Sequence, residues 1–223
     1  MTKQLFFQAI GKVLAGILLL GLLLFVPAGG LSYWNGWLLM GILFVPMIAA
    51  GFVLMFRNPE LLKKRLNAKE TEPEQRQVIA LSGAMFAAAF VVAGLNHRFG
   101  WLSWPDWAAW LAAALFLLAY LMYAEVLREN AFLSRTVEVQ ENQTVVDTGL
   151  YGIVRHPMYA ATLLLFLSMP LVLGSPLSFI IMLGYIPIVA KRIRNEERVL
   201  EAGLEGYAEY RARVKYKVIP YIW

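Results

Sequence analysis

Gly149-Leu-Tyr-Gly-Ile-Val-Arg155-His156-Pro157-Met-Tyr159, followed after an apolar stretch by Arg194-Asn-Glu196-Glu197, decides how this chain is read. The first segment gathers a guanidinium, an imidazole and a phenol at one mouth of an apolar hairpin, and the second sets two carboxylates at its other end. Pro157 suits the first position of a helix, where its missing N–H costs nothing. Tyr159 then falls one helical turn beyond Arg155 and shares its face. A helix start also offers unpaired N–H groups and the positive end of a dipole, both attractive to a carboxylate. Such a cluster suits a zwitterionic small molecule with an aromatic or heterocyclic part. Interfacial anchoring by Arg155 and Tyr159, with His156 satisfied by a backbone carbonyl, is the alternative.

The surrounding chain reads as a membrane scaffold. It is 60% hydrophobic, with a mean hydropathy of +0.60, where a soluble domain is about 45–50% apolar. Phe6 to Val26 carries only Lys12, and Trp37 to Phe56, Val78 to Leu95 and Trp107 to Ala124 carry no charge. Each approaches the roughly 20 residues a helix needs to cross about 30 Å of hydrocarbon. Two shorter runs, Tyr159 to Leu173 and Leu177 to Val189, flank Gly174-Ser175-Pro176, a turn signal that predicts an antiparallel helical hairpin. Pro170 and Pro187 are each expected to remove one backbone bond within it. Pro27-Ala-Gly-Gly lacks a small-x-small cleavage pattern, so the first run reads as an anchor helix and not a cleaved signal. The expected fold is an all-α integral membrane protein of about six transmembrane helices, the last two a short hairpin, with a cytoplasmic C-terminal helix. Residues 1–223 form a single membrane domain in this reading.

Charge sets the expected orientation. Arg57, Lys63, Lys64, Arg65, Lys69 and Arg76 join helices 2 and 3, and Arg128, Arg135 and Arg155 join helices 4 and 5. Eight further Lys or Arg lie in the tail, whereas the alternate connections hold Arg98 alone. The positive-inside rule then puts both termini and the motif-bearing loops in the cytoplasm. Topology and the anionic inner leaflet account for the net charge of +5, so no nucleic-acid partner is needed. The chain has no cysteine, which excludes a thiolate nucleophile, disulfides and cysteine-ligated metal. With only His97 and His156 present, a multi-histidine metal site is excluded and no metal is expected.

The basic segment from Arg57 to Arg76 reads as a solvated loop, with a short interfacial helix over Glu60 to Leu66 as the competing reading and Pro73 as a breaker. Tyr33, Trp34, Trp37, Trp101, Trp104 and Trp107 fall at predicted helix ends, as an interfacial aromatic belt does. From Glu125 to His156 the chain runs without an apolar span; a connection this long is usually functional or disordered, and its apolar content and delivery into Arg155-His156-Pro157 favour function. Within it Val137-Glu-Val-Gln alternates, and Asn142-Gln-Thr and Asp147-Thr-Gly are turn-like. The tail from Lys191 opens as a helix with Ile193, Val199 and Leu200 on one side, and Val218-Ile-Pro-Tyr-Ile-Trp223 is apolar enough to pack back. Glu196 and Glu197 return to the side where His156 sits. Carboxylates near hydrocarbon are disfavoured unless they have a role; neutralisation by Arg192, Arg194 and Arg198 at helical spacing is the competing account.

Gly-x-Tyr-x-x-x-Arg-His-Pro-x-Tyr, a two-helix hairpin, Glu-Glu and a Tyr-x-x-Tyr tail together resemble the isoprenylcysteine carboxyl methyltransferase family, a relative of the phospholipid N-methyltransferases. The resemblance covers roughly residues 132 to 220, leaving outside it the helix pair within 1–56 and helices 3 and 4 within 78–124. It implies an integral-membrane methyltransferase using S-adenosylmethionine, with a cofactor site built without the soluble dinucleotide fold. By motif position it assigns the cofactor to Gln140, Gln143, Thr144, Val145, Val146, Tyr151, His156, Pro157, Met158, Tyr159 and Glu196. Arg192, on what is predicted to be the hairpin's last turn, matches a position facing the lipid substrate's reacting group, so Arg192 and Glu196 are the candidate catalytic residues. Two departures from the family pattern are Ala160-Ala161, where a glycine often follows the tyrosine, and Gly203-Leu-Glu-Gly-Tyr207, where Phe-Gly-Glu-Glu-Tyr is usual.

The implied reaction is methyl transfer to a lipophilic acceptor that enters from the bilayer, a prenyl- or lipid-linked carboxylate first, a phospholipid amine second. A sterol-reductase-like oxidoreductase is a further alternative, but such proteins tend to carry Arg-His-x-Asn-Tyr and a later Arg-Asp-x-x-x-Cys, which this chain lacks. A transporter or scaffold predicts polar residues inside several helices, and helices 1 to 4 have almost none.

Overall fold

In a computed structural model, residues 3–57, 59–66, 73–133 and 139–223 are described; Arg135, Lys69 and the Val137-Glu138 half of the alternating stretch lie outside them. The four long apolar runs are helices α1 (Lys3–Ala28), α2 (Trp34–Arg57), α4 (Pro73–Phe99) and α5 (Asp106–Glu129). Between α2 and α4 lies α3 (Pro59–Leu66), followed later by α6 (Pro157–Val172), α7 (Pro176–Met182), α8 (Tyr185–Gly203) and α9 (Tyr207–Arg213). Five stretches are long and apolar enough to cross a bilayer, the fifth being Pro176–Gly203, and α6 is a shorter apolar helix. Leu14, Leu18, Leu22 and Val26, spaced by four along α1, are all more than half exposed. An apolar stripe of that kind is stable against lipid and a liability in water. The chain is a multi-pass membrane protein.

The chain divides into two compact units, residues 1–116 with 166–184, and residues 117–165 with 185–223. In the first, α1 and α4 pack through small residues. Ala89, Ala93 and Leu24 are fully buried, and a Cβ on Gly94 would stand 2.5 Å from the Leu24 carbonyl oxygen. Only glycine permits that approach, the usual device where lipid-embedded helices meet.

The turn expected at Gly174-Ser175-Pro176 forms as two caps joined end to end. The N–H groups of Gly174 and Ser175 donate to the carbonyls of Leu171 and Pro170, at 3.1 and 3.0 Å, closing α6. Ser175 then caps α7 by accepting from the Ser178 N–H, and Pro176 occupies its first position. The last carbonyls of α6 are also taken by side chains. Asn35 Nδ2 donates to Val172 O at 2.8 Å and the Tyr33 hydroxyl to Leu173 O at 2.5 Å. Unsatisfied carbonyls at membrane depth cost several kcal/mol each. Tyr33 is therefore not a belt residue. It is 1% exposed and stacks on His97 at 4.3 Å, whereas Trp34, Trp37, Trp101, Trp104 and Trp107 are exposed as a belt requires.

Two further expectations need correction. The segment after α2 is not a solvated loop throughout, because α3 buries Leu62 against Leu5 and Met55, with Leu66 one turn on packed beside them. The hairpin's second arm does not end at Val189 either. It breaks at Leu183-Gly184 into α7 and α8, and α8 continues to Gly203. The break sets Pro187 in the first turn of α8, where no intrahelical bond is lost. Pro170 does lie inside its helix, as expected.

In the second unit, Tyr159 and Leu163 of α6 pack with Val189 and Ile193 of α8 and with Val218 of the tail. A second cluster joins Leu204, Tyr207, Tyr210 and Val214, with Val139, Val145 and Leu200 against it. The tail returns as expected through Val218, while Tyr221 and Ile222 stay exposed.

Candidate functional site

The Arg155-His156-Pro157 segment is held from both sides. Pro157 opens α6, and the His156 carbonyl accepts from the N–H groups of Tyr159 and Ala160. The N–H groups of Arg155 and His156 donate to Tyr216 O and Lys217 O at 2.9 and 2.8 Å. The tail thus takes donors that the sequence left open for a ligand. Arg155 Nη1 adds bonds to Val214 O and Lys215 O at 2.7 and 2.8 Å.

Glu197, on α8, is the counter-charge of this segment. Its Oε1 accepts from Arg155 Nε and Nη2 at 2.9 and 2.7 Å, and its Oε2 pairs with Lys217 Nζ at 2.7 Å. His156 Nε2 stands 3.3 Å from Oε1. Arg155, His156 and Glu197 are all buried. Of the helix neighbours that could neutralise the carboxylates, Arg194 and Arg198 do not, since Arg194 donates to Ala190 O and Arg198 to Asn195 Oδ1. Partners come instead from far along the chain, which the buried position of Glu197 demands.

Glu196 behaves differently. Its side chain is 28% exposed, and its Oε2 accepts a 2.7 Å bond from the Tyr159 hydroxyl. His156 Nδ1 lies 3.9 Å from its other oxygen. Arg192 lies one turn earlier, within α8 and not at a hairpin end, and hydrogen-bonds the Tyr159 phenol while facing Glu196 and Tyr185 electrostatically. His156 and Tyr159 thus bridge the motif to both carboxylates.

These groups line one cleft, whose empty space is about 860 Å³ when its open mouth is included. Gln143, Thr144, Val146, Tyr151, His156, Pro157, Met158, Tyr159, Arg192 and Glu196 all contribute to it. Gln140 and Val145 do not. Gln140 spends its amide on Phe132 O and its N–H on Gln143 Oε1, closing the turn at Asn142, whose φ of 56° asparagine tolerates well. Val145 packs on the Leu204 and Tyr207 cluster.

Other lining residues were not among those assigned to the cofactor by motif position: Asn130, Phe132, Leu133, Arg155, Val199, Leu200, Leu204, Tyr207 and Tyr210. Asn130 Nδ2 donates to the Tyr151 hydroxyl at 2.9 Å, and the Tyr210 hydroxyl to Tyr151 O at 2.8 Å. Burial pushes the phenols of Tyr207 and Tyr210 well above the usual tyrosine value, so both stay neutral donors. The Tyr-x-x-Tyr spacing was the available signal, since residues three apart share a helix face. The departure just before it has a backbone reason. Gly206 stands at φ +79° ahead of α9, a conformation that glycine adopts without strain and a glutamate would not.

Comparison with known proteins finds similarity in sequence pattern and in fold. A sequence model of the phospholipid methyltransferase family matches residues 107–205. The solved structure of the eukaryotic intramembrane Ras methyltransferase, isoprenylcysteine carboxyl methyltransferase, superposes with a TM-score of 0.59 at 18% identity, covering 96% of this chain and 77% of that one. Delta(14)-sterol reductase of Mus musculus is 30% identical over 91 residues, 40% of this chain and 22% of the reductase, so the chain spans about a fifth of that relative. The resemblance read from the Arg-His-Pro and Glu-Glu motifs is borne out. Over residues 107–205 the chain carries the sequence pattern of the phospholipid methyltransferase family, on the fold of an integral-membrane methyltransferase.

Proposed function

We propose that this protein transfers a methyl group from S-adenosylmethionine to a lipophilic acceptor, first of all a prenyl- or lipid-linked carboxylate. The division between two adjacent carboxylates carries the proposal. Glu197 is consumed by Arg155, Lys217 and His156, while Glu196 lines the cleft and remains partly exposed. A cation in the cleft therefore meets Glu196. The remaining lining fits the same cofactor, since Phe132, Leu133, Val146, Leu200 and Leu204 offer apolar walls for a heterocycle.

When bound, S-adenosylmethionine supplies an electrophilic methyl group on a sulfonium. Glu196 attracts the cationic end and fixes its direction. Arg192 orients an anionic or carbonyl-bearing acceptor, a task suited to a planar guanidinium. Tyr159 bonds both residues and so fixes the spacing of the two ends. An acceptor carboxylate is already a nucleophile, so positioning and exclusion of water supply the acceleration and no strong base is required. The cofactor enters from the cytoplasm and the acceptor from the bilayer, with both termini and the cleft on the cytoplasmic side. In this cysteine-free chain, thiol labelling of single cysteines at Gly30 and Lys69 tests that orientation, and labelling of both from one side rejects it.

Phospholipid amine methylation is the second reading, favoured by the family match over residues 107–205. The test is transfer of a radiolabelled methyl group into extracted membrane lipids. Label in lipid that mild base releases as methanol identifies an ester, base-stable label identifies an amine product, and absence of lipid label rejects both. The further alternative, a sterol-reductase-like oxidoreductase, rests on a match to only 22% of the reductase, and a titration with NADPH distinguishes it.

A further inference from the structure

Tyr207 is 4% exposed and lines the cleft, and among the described residues its phenol oxygen is buried without a hydrogen-bond partner. Its ring is accounted for by packing with Leu204, Tyr210 and Val214. A phenylalanine would fill that place equally well and avoid the cost of burying an idle hydroxyl. Tyr210, three residues on, uses its own hydroxyl on Tyr151 O, so the fold is able to satisfy a phenol here where structure alone requires it.

Tyr207 lines the cleft together with Arg155, His156 and Glu196, which form its charged end, and the charges of Glu197, Arg155 and Glu196 act on its phenol. At that end the guanidinium is spent. Arg155 gives Nε and Nη2 to Glu197 and Nη1 to the carbonyls of Val214 and Lys215. A zwitterionic ligand whose cationic groups face Glu196 therefore needs another donor for its carboxylate. Burial keeps the Tyr207 phenol protonated and able to donate.

We infer that the Tyr207 hydroxyl donates to the carboxylate of the cofactor's amino-acid end, making it a binding residue that neither the motif nor the resemblance assigned. The inference rests on the cofactor reading above and specifies which end of that molecule lies where.

The test compares two ligands by calorimetry on the purified full-length protein and on Tyr207→Phe. One is S-adenosylhomocysteine. The other is its decarboxylated analogue, which keeps the nucleoside, the sulfur and the amine. Loss of one bond to a carboxylate is expected to weaken S-adenosylhomocysteine about tenfold in the variant and to leave the analogue unchanged. No loss for either ligand overturns the inference. An equal loss for both also overturns it, because the hydroxyl then serves another part of the ligand or the packing of the cleft. Failure of the wild-type protein to bind either ligand rejects the cofactor reading itself.

Discussion

The Tyr159 hydroxyl donates to Glu196 Oε2 at 2.7 Å, and the same phenol is hydrogen-bonded by Arg192 from one turn earlier on α8. One side chain from the start of α6 thereby fixes the two groups assigned to opposite reactants. Tyr159→Phe removes both bonds and leaves the ring packed with Leu163, Val189 and Ile193. The expected outcome is a loss of cofactor affinity of about tenfold, on the order of one hydrogen bond to a charged group, with thermal unfolding changed far less. Calorimetry with S-adenosylhomocysteine beside a melting curve measures the two.

Glu196 and Glu197 are expected to separate under the same conservative change. Glu197→Gln leaves Arg155 and Lys217 short of their counter-charge inside the protein, which costs about 3–5 kcal/mol of stability. Glu196→Gln acts at a partly exposed position and should remove cofactor binding with little change in unfolding. Denaturation in detergent, read alongside ligand titration, tells them apart. Equal destabilisation by both would mean that Glu196 is structural.

Arg192→Ala should retain cofactor binding and lose turnover with the lipid acceptor. Binding is followed by titration and turnover by methyl transfer into lipid. Abolished binding would instead make Arg192 and Glu196 a structural pair joined through Tyr159, ending the division of labour between them.

Most of the scaffold was legible in the sequence because uncharged length is a direct signal for a lipid-spanning helix. The helix ends at Gly174-Ser175-Pro176 were legible because capping is local chemistry. What escaped depended on distant partners. Nothing near Tyr33 tells that its hydroxyl reaches Leu173 O, and nothing near Glu197 points to Arg155 and Lys217 over its neighbours Arg194 and Arg198. The split of the hairpin's second arm was missed by expecting Pro187 to sit inside one continuous helix. In the cleft, the motif residues from His156 to Tyr159 were found because they are contiguous, whereas Asn130 and Leu204 arrive from separate segments with no pattern of their own. Gln140 was placed there by motif position, yet its amide holds the adjoining loop.

Gly94 offers a test of the scaffold independent of the cleft. Gly94→Ala puts a methyl group 2.5 Å from the Leu24 carbonyl oxygen, forcing α1 and α4 apart. A destabilisation of about 1–3 kcal/mol is expected from such overpacking, read as a lowered midpoint in denaturant. An unchanged midpoint would show that the two helices do not pack this closely.

The measurement that bears most directly on the account is ultraviolet crosslinking of radiolabelled S-adenosylmethionine to the purified protein, followed by peptide mapping. Label is predicted on peptides carrying Gln143 to Tyr159 or Arg192 to Tyr210, suppressed by excess S-adenosylhomocysteine and by Glu196→Gln. Label confined to peptides from α1 to α4, or no competable label at all, would contradict it.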